Sequence, residues 1–296
     1  MNQENTNWQN LHQKFVEYGR NAKEWMRKCV LLLPEIEKYE IWKRKGFDNI
    51  YEYARQLAGM SRDQVTDALW ILKKIEDKPA LIQVVSEKGL NSIRPIISIV
   101  DKENENFWAQ KARTMSHHTL RTYVKERNRL ECRDVTTLQS ANPQNPKVSI
   151  TLDLDPEVAD QLNKLKGSGD WNTLMKELLE LKKEKLETEK PAPATDTSGH
   201  IPKKIHDYVL KRSHGKCEFP NCTNDYAHLH HTNRLASNKI HDPDQIVALC
   251  EAHHDLAHKG LIDNEDNKIN TWKILKEPDY TNLNWYIDQQ VAAHRR

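Results

Sequence analysis

Along the first 130 residues, apolar side chains recur three or four positions apart and do not alternate strictly with polar ones, which is the period of amphipathic helices. Phe15, Tyr18, Ala22, Trp25 and Met26 form one such run, and Val65, Ala68, Leu69 and Leu72 form another. Ser61 and Ser116 each stand after a short break and before a periodic run, where a side-chain oxygen can take up a free backbone N–H, so both are expected N-caps. Pro34, Pro79 and Pro95 fit helix starts or bends. The pattern changes at Lys147: Val148, Ile150, Leu152 and Leu154 alternate with polar residues, predicting one strand, and two helices follow. The run ETEKPAPATDTS, from Glu187, is poor in apolar residues and rich in Pro and Thr, so it reads as a tether. The expected fold class is a mainly α N-terminal region (1–140), a small strand-helix-helix unit (145–187), a linker (188–199) and a C-terminal α+β domain (200–296).

A chain of 296 residues with 37% hydrophobic content has room for two or three ordinary cores. The start, MNQENTNWQN, is polar, and no stretch approaches the roughly 18 apolar residues of a membrane span, so a cytoplasmic protein with no membrane partner is expected. The net charge of +2 does not announce nucleic-acid binding. Its distribution says more: Lys and Arg outnumber Asp and Glu by 24 to 19 over residues 1–140, whereas eleven of the fourteen histidines lie at or beyond His200. Cys29 and Cys132 are isolated and read as packing residues. Cys217, Cys222 and Cys250 share one His-rich segment, which in a reducing compartment suggests metal ligation rather than disulfides.

Tyr51 to Ile75 pairs a helix ending near Gly59 with one starting at Ser61, the short Gly-containing turn of a helix-turn-helix. With the helices that follow, this region resembles the central DNA-binding domain of bacterial partition proteins. The resemblance implies that Ser61, Arg62, Gln64 and Asp67 lie on the exposed start of a recognition helix, although Asp67 would be unhelpful beside phosphate. The alternative is a helical scaffold with a solvated polar face. The lone strand beginning at Lys147 resembles a ribbon-helix-helix subunit, in which two chains pair their strands. That implies a homodimer through residues 147–187 more than DNA reading by Ser149, Thr151 and Asp153.

The segment KCEFPNCTNDYAHLHHTNRLASNKIHDPDQIVALCEAHHDLAHKG, from Lys216, contains two ligand sets. Cys217, Cys222, Cys250 and His253 are two close pairs of soft or borderline ligands and suit a closed tetrahedral zinc that holds a small domain together. His254 and His258 are four apart, on one face of a helix. His230 and His231 end an apparent strand, where neighbours point to opposite faces, one toward a metal and one toward a water. His228 would share the strand face of His230. Single histidines such as His214, His241 and His294 read as surface or packed residues, and His117 and His118 as flanking a cap.

The segment resembles the HNH nucleases, the ββα-metal fold, particularly members whose catalytic motif is interleaved with a zinc-binding knuckle. The resemblance implies that His230, His254 and His258 hold one divalent ion and that His231 is the general base. Gln245 stands where the family most often has Asn, His253 where it often has Cys, and Arg234 where it commonly has Pro. Gln245 is expected to brace the loop, and Arg234 to clamp a phosphate through its fork of donors. Cofactors would be a structural Zn²⁺ and one catalytic ion, Mg²⁺, Mn²⁺, Ni²⁺ or Zn²⁺, the all-His ligand set favouring the last three. The implied activity is metal-dependent hydrolysis of DNA phosphodiesters. Its rivals are RNA cleavage and a zinc-stabilised DNA-binding regulator with an inactive site. KINTWKIL predicts a further strand and TNLNWYIDQQVAAHRR a terminal helix.

Overall fold

The computed structural model describes residues 3–137, 151–195 and 199–294. The chain divides into two compact units, Met1–Val124 and Lys125–Arg296. It is mostly helical, with short antiparallel strand pairs in the second unit. Among the described residues no helix is long and apolar enough to cross a membrane.

In the first unit α1 (Gln3–Lys38), α2 (Ile41–Arg44), α3 (Ile50–Ala58), α4 (Arg62–Lys74), α5 (Pro79–Lys88) and α6 (Glu105–Thr114) lead into α7 (His117–Thr137), whose first turns complete it. The core is built from the faces that the periodicity marks, including Val65, Ala68 and Ile71 of α4, Leu81 of α5, and Leu120 and Tyr123 of α7. Both expected caps form. Ser61 Oγ accepts the Gln64 N–H at 3.2 Å while Gln64 Oε1 accepts the Ser61 N–H at 2.8 Å, and Ser116 Oγ accepts the Thr119 N–H at 3.1 Å. Gly59 closes α3 at φ 65°, a conformation that suits glycine. Pro79 opens α5, whereas Pro34 lies inside α1. The run in α1 is helical as its period predicts, but Phe15, Tyr18 and Trp25 are exposed, and among the described side chains of α1 the buried ones are Val30 and Leu33. Periodicity identifies an apolar face but does not say whether the same chain covers it.

The second unit begins with the remainder of α7. The two helices of the strand-helix-helix unit are present as α8 (Pro156–Lys166) and α9 (Trp171–Thr188). Of the strand expected before them, the described part is not a strand. Val148 and Ile150 lie outside the described residues, and Thr151–Asp155 has no regular structure, with Leu152 and Leu154 exposed. A lone strand has no ladder to close within one chain.

β1 (Ala194–Thr195) falls inside the expected tether. It precedes α10 (Lys203–Ser213), β2 (His228–His231), α11 (Leu235–Asn238), β3 (Ile240–His241), β4 (Ile246–Leu249), α12 (Glu251–His258), β5 (Ile262–Asp263), β6 (Lys273–Ile274) and α13 (Leu283–His294). The strands pair as β1 with β3, β2 with β4 and β5 with β6, all antiparallel. The tether is thus pinned for two residues to β3, and Lys190 reaches Asp244 at 2.6 Å. The strand and helix expected near the C-terminus are β6 and α13.

The β2–β4 register positions the chemistry. His230 lies opposite Val247, and His231 opposite Ile246. Cross-strand partners share a face, so His231 points to the side on which Ile205, Tyr208 and Val209 of α10 pack against Ile246 and Ala248. His230 points the other way, toward α12.

Candidate metal centres

The first centre begins at a turn. Asn221 adopts φ 62°, Cys222 N–H donates to the Phe219 carbonyl at 3.0 Å, and Cys217 N–H donates to that of Asn224 at 2.9 Å. The knuckle is fastened to β4 by Glu218, whose N–H donates to the Ala248 carbonyl at 2.8 Å and whose carboxylate accepts Arg212 at 2.9 and 3.0 Å. Cys250 ends β4 and caps α12, so His253 returns to it one turn later. The four ligand atoms of Cys217, Cys222, Cys250 and His253 lie within 4.8 Å of one another. His253 Nδ1 is 3.5 Å from Cys217 Sγ and 3.3 Å from Cys250 Sγ. The edge of a tetrahedron with ordinary zinc bond lengths is about 3.6 Å. The His253 ring stacks on Phe219, with centroids 3.9 Å apart and planes at 10°.

Hydrogen bonds from Cys217 and Cys222 hold the Cys250 thiol far below its usual range, while bonds to Cys222 and Cys250 push Cys217 up. Burial opposes protonation of His253, yet its bonds to Cys222 and Cys250 prevail and raise it to about 9. Three sulfur atoms gathered within reach of one buried ring nitrogen make a soft donor set. It could hold a metal ion and is compatible with a structural zinc.

The second centre is His230, His254 and His258, whose ligand atoms also lie within 4.8 Å of one another. His254 Nε2 and His258 Nε2 are 3.1 Å apart. His258 Nδ1 is 3.0 Å from Asp288 Oδ1, which fixes the N–H on that nitrogen and leaves Nε2 with its lone pair. His230 Nε2 is 2.6 Å from Glu265 Oε1 and 3.0 Å from Arg234 Nη1. A carboxylate behind an imidazole is the usual support of a metal-ligating histidine. Burial holds His230 well below its ordinary value, with Arg234 adding to the effect. Burial and the neighbouring His230, His258, His228 and Arg234 bring His254 down to about 3. These two rings are neutral lone-pair donors at pH 7, and the set fits a divalent cation of the imidazole-preferring kind.

Behind the histidines lies a buried ionic core. Arg234 donates through Nε to Asp288 at 2.9 and 3.1 Å, through Nη2 to Asp288 at 2.8 Å and Glu265 at 3.3 Å, and through Nη1 to Glu265 and to the His231 carbonyl at 2.8 Å. The phosphate clamp expected of Arg234 is therefore absent: the side chain is buried and its fork is filled by carboxylates. Burial raises the Glu265 pKa against the pull of Arg234, whereas for Asp288 the His258 and Arg234 hydrogen bonds outweigh burial and lower it.

Gly260 turns the chain after α12 at φ 66°, and an added Cβ there would lie 2.5 Å from Cδ1 of Trp285, which stands on α13 three residues before Asp288. Gly260→Ala is expected to push Trp285 and α13 away, costing about 1–3 kcal/mol of stability. Affinity for the second ion should weaken at least tenfold while zinc content is retained. Calorimetry and metal titration would check both, and unchanged affinity would break the link drawn from Gly260 to Asp288.

His231, expected to face a substrate water, lines a cleft of about 510 Å³ together with His230, Arg234, His254, His258 and Asp288. Its Nε2 is 3.0 Å from Nδ1 of the fully buried His241. Burial, then His241 and Arg234, lower His231 to about 4. At Gln245 the bond across the loop is made by the backbone, whose carbonyl accepts the Thr232 N–H at 2.8 Å, and not by the side chain on which the expectation rested. His228 stacks on His254 with centroids 4.4 Å apart, and His214 contacts Lys182 at 3.1 Å.

In the first unit the Ser61 and Gln64 side chains are spent on each other's backbone, Asp67 pairs with Arg94, and exposed Arg62 lies 4.9 Å from the Tyr51 ring centre. Sequence reasoning missed His241, Glu265 and Asp288, which stand outside any recognisable ligand spacing. A weak signal existed for Asp288, an acid in an otherwise apolar and amide-rich helix. No family model matches the chain, and neither a curated protein nor a solved structure matches it.

Proposed function

We propose that the second unit is a metal-dependent nuclease head of the HNH, or ββα-metal, kind, and that its substrate is DNA. The observation that carries this reading is the convergence of His230, from a strand, with His254 and His258, from the helix that follows its partner strand, on the wall of an open cleft. A Cys₃His set stands beside it, with Cys250 and His253 at the start of the same helix and Cys217 and Cys222 on the knuckle. His230, His254 and His258 would hold the working ion, which when bound supplies Lewis-acid stabilisation of phosphoryl and leaving-group oxygens. Glu265 and Asp288 orient two of those rings, and Arg234 holds the two carboxylates together. His231, oriented by His241, accepts the proton of the attacking water. DNA engagement by the first unit rests on Arg62, since Ser61 and Gln64 are occupied.

Plasmid DNA with Mg²⁺, Mn²⁺, Ni²⁺ or Zn²⁺ tests the proposal: the natural chain is expected to nick or cut, and His231→Ala to bind DNA without cleaving it. Equal inactivity of both, with binding retained, would favour the second reading, a zinc-stabilised DNA-binding regulator. What favours that reading is the engagement of His231 Nε2 by His241. Competition with RNA assigns the substrate.

The pH profile follows from the same residue. His231 must be neutral to accept a proton, and its value of about 4 keeps it so through mildly acidic solution. At pH 5.5 an ordinary histidine would be protonated about ten to one. The acid limb of kcat/KM, measured at saturating metal, is therefore expected well below pH 6, and His241→Phe should move it upward. A limb near 6.5 in the natural chain would remove His231 in this environment as the group that sets it.

A further inference from the structure

We propose that α1 is a self-association helix, and that its occupant is α1 of a second copy of this chain, laid antiparallel. Eight positions carry the proposal: Trp8, Leu11, Phe15, Tyr18, Ala22, Trp25, Cys29 and Leu32. They are separated alternately by three and four residues without interruption, the a/d repeat of a coiled-coil seam over more than three heptads. The seam is not the face that packs on the unit's own core, since the buried residues among the described side chains of α1 are Val30 and Leu33. On the seam Trp8, Leu11, Phe15, Tyr18, Trp25 and Leu32 are between 52% and 79% exposed. Four aromatic rings in one row on the outer part of a helix form an apolar stripe beyond what a monomer ordinarily presents to water.

A second copy fits because the repeat specifies its own complement. In an antiparallel pair with twofold symmetry, Trp8 falls opposite Leu32, Leu11 opposite Cys29, Phe15 opposite Trp25 and Tyr18 opposite Ala22. Two large residues, Tyr18 and Leu11, thereby meet two small ones, and the contact is isologous and closed. The parallel alternative stacks Ala22 on itself between layers of paired Tyr18 and paired Trp25, leaving a gap in the seam. The area is also adequate. At about 150–250 Å² per aromatic side chain, the exposed parts of the four rings offer on the order of 500 Å² per chain. Leu11, Leu32 and the flanking stems bring this toward the roughly 800 Å² per partner of a stable interface. This contact is distinct from any pairing through residues 147–187 and does not depend on the nuclease reading.

The test compares the full chain with a Phe15→Glu/Tyr18→Glu variant by sedimentation equilibrium, whatever oligomer the natural chain forms. The variant is expected to have half the natural mass. Glu17→Lys, off the seam, is expected to change nothing. Far-UV circular dichroism verifies that the variant keeps its helices, as it should with Val30 and Leu33 untouched. A second measurement does not depend on that variant: in Leu11→Cys, a mild thiol oxidant should join the introduced thiol to Cys29 of another copy, located by peptide mapping. Equal masses for the natural and double-variant chains would overturn the proposal, as would absence of any intermolecular link. A link from Cys29 to Cys29 would overturn its antiparallel part.

Discussion

Replacing Cys250 by alanine, or withdrawing metal with a strong chelator, is expected to unfold residues 200–296 and leave the helices of the first unit standing. The reason lies in what ties the short elements of this region together. Its strand pairs are two to four residues long, and the Cys₃His set joins the knuckle, the end of β4 and the start of α12 at one point. Structural zinc contributes about 10–16 kcal/mol in small metal-bound domains, comparable to the whole stability of an ordinary domain at about 5–15 kcal/mol. Cys250 is also the residue at which β4 hands over to α12, so its loss frees both. Fluorescence of Trp272, buried in this region, and limited proteolysis would follow the loss. Cys29→Ser serves as the control and should leave this transition untouched. A domain that keeps its melting transition after verified loss of zinc would end the structural role assigned to the Cys₃His set.

Arg234→Ala is expected to cost about 3–5 kcal/mol, the usual consequence of removing one partner from a buried ionic cluster. Glu265, 2% exposed, and Asp288 would face each other without the guanidinium between them. The loss should appear in denaturant unfolding with no DNA present. It should be partly recovered when Glu265→Gln and Asp288→Asn are added, because the stranded charges then disappear. A phosphate clamp would behave otherwise, leaving stability alone and raising KM. A change of less than about 1 kcal/mol in the single variant would sink the buried-core account of this residue.

What the sequence made legible follows how local each signal is. The pairs Cys250 with His253 and His254 with His258 are spaced by helix geometry, and the two ligand sets assemble as their order along the chain implies. The caps at Ser61 and Ser116 are likewise three-residue signals. Glu265 and Asp288 reach the site through packing of β5, β6 and α13, more than thirty residues beyond His230, and no periodicity reports that. His241 reads from sequence as either a surface or a packed residue; it is packed, fully buried on β3, and no spacing links it to His231. Arg234 had the right address but the wrong partners, since its neighbours in space are invisible in its neighbours in sequence. The stripe on α1 is legible as helical and apolar, but its exposure is not, because periodicity carries no sign of what lies against a face.

The closeness of the two ligand sets on α12 makes this segment intolerant of changes in length rather than of changes in identity. One added residue turns everything downstream by about 100°. An alanine inserted between His253 and His254 would leave the Cys₃His set in register and swing His254 and His258 off the cleft wall. Such a chain would fold around its zinc and have no second site, whereas no single substitution divides the helix so cleanly. The spacing of eight residues thus acts as a ruler, and its unit is the single residue.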